Sequence, residues 1–109
     1  MTQAYKVLGQ VTPSANTLST AYTVPASNSA VISTITVCNQ TASNASYSIA
    51  VAKAGAADTT AQYIIRGGVV PAADSIGITL GMTLATTDVV RVNASSASIS
   101  FNVFGSEIY

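Results

Sequence analysis

The chain has 109 residues, 49% hydrophobic but only 7% charged, and its four basic and four acidic side chains cancel. Globular domains carry about 25% charged residues; here the scattered Lys6, Lys53, Arg66 and Arg91 form neither a basic footprint for nucleic acid nor a polybasic patch for anionic lipid. With no histidine and one cysteine, Cys38, the commonest general base, an intrachain disulfide and a cysteine-based zinc cluster are all excluded.

In chain order, alternation of period two predicts strands over 5–11, 18–24, 30–39, 46–54, 61–66, 75–80, 88–94 and 97–104. Pro13-Ser14-Ala15-Asn16 and Pro25-Ala26-Ser27-Asn28 separate the first three. In the third, AVISTITVCN, alternation sets Val31, Ser33, Ile35 and Val37 against Ile32, Thr34, Thr36 and Cys38, and its β-branched residues suit a pleated surface. Residues 40–45 form a polar hairpin loop, and SYSIAVAKA then aligns Tyr47, Ile49, Val51 and Lys53. The Ala-rich 54–61 is too short to stand as a helix and reads as a loop with at most one helical turn. Gly67-Gly68 and Pro71-Ala72-Ala73-Asp74 read as turns bracketing a Val-Val piece, with a further turn at Met82-Thr83-Leu84. Ser95-Ser96 links the last two strands. Ile99, Phe101 and Val103 share the core face of the final strand, Ser100, Asn102 and Phe104 the other, and Gly105 is expected to turn the chain.

About eight short strands and no helical stripe predict an all-β fold, an antiparallel β-sandwich of jelly-roll or Ig-like type, as one domain over 1–109.

The residues hold little chemistry. Asp58, Asp74 and Asp88 are the one carboxylate pattern, but AADT, AADS and TTDV are turn contexts where Asp bonds nearby N–H groups. Cys38 has no histidine to activate it and is expected inside the sheet, and no G-x-S-x-G or phosphate-binding glycine pattern occurs. No enzyme activity, cofactor or metal is expected. Tyr5, Tyr22, Tyr47 and Tyr63 with Arg66 and Arg91 can either form a glycan- or protein-binding surface or cover sheet edges and core. The apolar ending FNVFGSEIY leaves Phe104, Ile108 and Tyr109 in need of a second cover. With Tyr63 and Arg66, they are the expected interface residues. No run approaches the ~18 apolar residues of a membrane span. The opening MTQAYKVLGQ lacks the basic region and apolar core of a secretory signal. The expected compartment is the cytoplasm of the producing cell, or a particle assembled there.

At YKVLGQ (5–10), TLSTAYTVPASNSAVISTITVCNQ (17–40), TLATTDVVRV (83–92) and ISFNVFGSEI (99–108) the chain resembles a group of small structural proteins of tailed bacteriophages, notably those of cyanobacterial and marine phages. The resemblance implies a non-enzymatic virion part: a capsid decoration (cement) protein, or a tail, baseplate or fibre component. It implies a homotrimer contacting the major capsid protein or tail proteins, and carries over no functional residue. An exposed carbohydrate- or host-surface-binding module is the alternative. The resemblance is thinnest over 55–71, where partner-specific contacts are expected.

Overall fold

β-Branched residues at alternate positions build eight strands in the computed structural model, which describes residues 2–109. They are β1 Gln3–Val11, β2 Ser19–Thr23, β3 Ser29–Asn39, β4 Ala45–Ala52, β5 Tyr63–Val70, β6 Ser75–Leu84, β7 Val89–Ala94 and β8 Ile99–Ile108. The first sheet runs β1-β8-β3-β6 and the second β2-β7-β4-β5, with every pairing antiparallel. Successive strands alternate between the sheets except in the β4–β5 hairpin. This double Greek key is the jelly-roll arrangement rather than the Ig-like one.

The core lies between the sheets. Phe101, Val103 and Ile99 of β8 meet Ile32, Ile35 and Val37 of β3 from one side, and Ile49, Val90 and Val92 from the other, all with no exposed surface. The Tyr47 and Phe101 rings lie 6.5 Å apart and tilted by 58°. Each fully buried aliphatic or aromatic side chain contributes roughly 1.5–3 kcal/mol. Asn39 is buried but satisfied: its amide donates to the carbonyls of Ser43 (2.7 Å) and Val70 (3.2 Å) and accepts from the Thr41 backbone N–H and hydroxyl. One side chain thus fixes the β3–β4 loop.

Three sheet irregularities line up. β1 carries an extra residue at Leu8, β3 one at Ser33, and β6 departs from register at Leu80–Gly81, all near Phe104 and Gly105 of β8. Bulges bend strands and switch the facing of the residues beyond them. This corrects the simple alternation in β3: Ala30 and Ile32 are core residues before the bulge, and Ile35, Val37 and Asn39 after it, while Val31 and Ser33 point away. Cys38 accordingly sits half-buried on the outer side rather than inside.

Other expected turns are strand. Gly67-Gly68 lies within β5, where Gly67 takes a φ of 72° at a bulge against Tyr47–Ser48. Met82-Thr83-Leu84 completes β6, and Lys53 opens a short 3-10 turn instead of ending a strand. Gly105 does not turn the chain either. It stays paired inside β8, where a Cβ would overlap the Val31 carbonyl, so glycine there allows β3 and β8 to approach.

Candidate functional site: the outer face of the first sheet

Register fixes what this face displays. Outward positions run Gln3, Tyr5, Val7 and Gln10 on β1 and Ser100, Asn102, Phe104 and Ile108 on β8. On β3 and β6 they include Val31, Thr34, Thr36, Thr79 and Thr83. Among the described residues, none of these outward positions is charged. Tyr5 is 82% exposed and Val7 48%. Together with Val31, Ser33 and Phe104 they line a shallow open groove of about 650 Å³ along the row of bulges. Hydroxyls and amides surround it, with Gln10 donating to Asn102 at 2.7 Å and Ser33 to the Phe104 carbonyl at 3.2 Å.

Lys6 borders the groove, but its ammonium is committed inward, 2.5 Å from Oε1 of Glu107. The other oxygen, Oε2, accepts the Tyr22 hydroxyl at 2.6 Å. Glu107 and Tyr22 are buried. The Lys6 and Tyr22 hydrogen bonds hold the Glu107 carboxyl below the usual glutamate range against the opposing effect of burial, and the bond to Glu107 raises Lys6. Burial first, then Glu107, pushes the Tyr22 phenol up. With both oxygens engaged, Glu107 serves as a joint between β1, β8 and β2, and so between the two sheets.

The second sheet's outer face is built differently. Residues 53–62, with 3-10 turns at Lys53–Gly55 and Thr60–Gln62, fold back beside it. Arg91 donates to the carbonyls of Ala56 (2.8 Å) and Gly55 (3.2 Å), and Asp88 accepts from the backbone N–H groups of Ala54 and Ala85 at 2.9 Å each. Ala50, Ala52 and Val89 are buried, yet stand outside the core between the sheets. Asp74 accepts from the Ser75 N–H (2.8 Å), so Asp74 and Asp88 bond backbone N–H groups at turns, Asp88 also tying its turn to the 53–62 loop, while Asp58 accepts from the Tyr63 hydroxyl.

The expected interface residues fall into separate places. Phe104 and Ile108 are half-buried on the first sheet's outer face. Tyr109 is 53% exposed beyond β8, exchanging backbone hydrogen bonds with Thr2. Tyr63 and Arg66 belong to β5, where the guanidinium lies 4.6 Å from the ring centroid and the Tyr63 hydroxyl donates to Asp58 at 3.2 Å. Tyr22 and Tyr47 are core residues and Arg91 secures the loop, so the tyrosine–arginine set forms no single surface. Val7 and Val31 are the groove residues that sequence reasoning missed: YKVLGQV has apolar residues in both alternation classes, and Val31 faces outward only because of the Ser33 bulge.

Compared with known proteins, the chain matches no protein-family model and no curated sequence.

Proposed function

We propose that the chain is a non-enzymatic structural component of a tailed-phage virion, docking on the particle as a capsid decoration protein through the outer face of its first sheet. The observation that carries this reading is that uncharged face, with Tyr5 standing beside the Phe104 groove. The described outward strand positions carry no ions, and Lys6 at the groove's border is already paired with Glu107, so a partner can cover the face with little desolvation of charge. A protruding aromatic ring next to an apolar recess is the kind of anchor that dominates interface energetics. The virion itself enters through the sequence resemblance. The jelly roll, used by viral capsid domains and also by lectins, supports it by analogy of fold alone. The fitting partner surface is a largely apolar patch on the major capsid protein.

Quantifying and imaging the protein on purified particles tests the proposal. Hundreds of copies on the icosahedral lattice are expected. A few dozen at one vertex would move the protein to the tail, and absence from particles would overturn the virion reading. The stacked Tyr63–Arg66 pair favours a host-surface-binding module as a second reading. That reading fails if a glycan array stays silent and Tyr63→Ala leaves host adsorption unchanged.

A further inference from the structure

The sandwich has four edge strands: β1 and β6 in the first sheet, β2 and β5 in the second. An edge offers unpaired N–H and C=O groups to any passing strand, and proteins commonly blunt it with charge, proline or shortness. β1 carries Lys6, β5 carries Arg66, and β2 has only five residues. β6, SIGITLGMTL, is ten residues long with neither charge nor proline. Its inward Ile76, Ile78, Leu80 and Met82 pack on the core but remain only partly buried. β5, the edge strand of the other sheet on the same side, leaves Ile64 44% and Val69 60% exposed.

We propose that β6 pairs antiparallel with β6 of a second copy of this chain, about a twofold axis through Gly77. The ladder to β3 is unbroken from Ser75 to Thr79, so this segment is regular strand on its bonded side. With Gly77 opposite its own copy, Ile76 stands opposite the second copy's Ile78 on the inner face, and Ser75 opposite its Thr79 on the outer face. Both are favourable cross-strand pairs. A twofold pairing brings each residue against its own neighbourhood, so a charge inside the segment would meet its like. SIGIT contains none, which is the reason for choosing a second copy as occupant. The nearest charge, Asp74, lies three positions from the axis, so the two copies sit about 20 Å apart along the strands, well beyond a Debye length of about 8 Å. A side chain at Gly77 would meet nothing within 4 Å, so no neighbour in the same chain obstructs the approach. The pairing extends the first sheet to eight strands and yields a dimer, in place of the trimer that the resemblance implies. It needs no virion, so it stands or falls apart from the docking proposal.

Sedimentation of the purified full chain at tens of micromolar is expected to give twice the chain mass, with backbone amides of Ser75–Thr79 gaining hydrogen-exchange protection as concentration rises. Gly77→Lys sets two ammonium groups at the axis and is expected to weaken association about tenfold or more, whereas Gly77→Val keeps it. Gly77→Glu, which sets two carboxylates at the axis, serves if circular dichroism shows that Gly77→Lys has lost its fold. A monomeric wild type, a trimer, or a dimer that survives the lysine substitution overturns the proposal.

Discussion

The outer face of the second sheet lies beside the chain's own 53–62 loop, held by Arg91 and Asp88, whereas among the described residues no such loop is bonded over the groove on the first sheet's outer face. Charge follows the same division. Lys53, Asp58, Arg66, Asp88 and Arg91 belong to the loop or to the strand and turn residues of the second sheet, while the outward positions of the first sheet hold none among the described residues. Polar side chains have been used where the chain must secure its own backbone. Hydroxyls and rings remain where none of the described residues supplies a cover.

Both faces rest on one shared core, and Phe101 is its largest fully buried side chain. Phe101→Ala is therefore expected to cost about 3–5 kcal/mol in a denaturant melt; a loss below about 1 kcal/mol would break the two-layer description. The joint between the sheets gives the next effect. Glu107 has a depressed folded pKa, so its stabilisation is present above the ordinary glutamate value of about 4.3 and is lost as pH falls through the lower folded value. Glu107→Gln should lower stability at neutral pH and flatten the acid limb of the stability profile. Melts between about pH 7 and pH 3 check this, and parallel curves for the two proteins would contradict it.

Arg91→Ala probes the covered face. It should cost about 1 kcal/mol globally, yet strongly increase hydrogen exchange and proteolytic cutting within 53–62; unchanged exchange there would show that Arg91 does not hold the loop. Tyr5→Ser tests the open face and has the smallest effect on the isolated chain, within about 0.5 kcal/mol, as expected for an exposed side chain. Its loss should instead appear as failure to bind purified capsids. Full binding by the variant would remove Tyr5 from the docking surface.

Strand existence was legible because stiff β-branched side chains and turn residues act locally: all eight predicted strands are present, and Ile99, Phe101 and Val103 form the core face as alternation implied. Facing was less legible. Ser33 looks like any alternating residue, but the extra position it occupies depends on β8 and β6 lying on either side of β3. The same non-local pairing decides between jelly-roll and Ig-like order, which no local pattern encodes. Of the candidate surface, Phe104 could be read from the final strand. Its companions Tyr5, Val7 and Val31 come from the other end of the chain and join it only through pairing.

That pairing also governs when the protein can fold. β8 lies between β1 and β3, and β7 between β2 and β4, so neither sheet can close until its late strand, Val89–Ala94 or Ile99–Ile108, has left the ribosome. Only the β4–β5 hairpin can form from neighbouring segments as synthesis proceeds. Long-range pairing of this kind makes folding slow and lengthens the time that sticky strands stay uncovered. An almost uncharged nascent chain has little self-repulsion during that interval, so the arrival of Phe101 ends its most aggregation-prone stage.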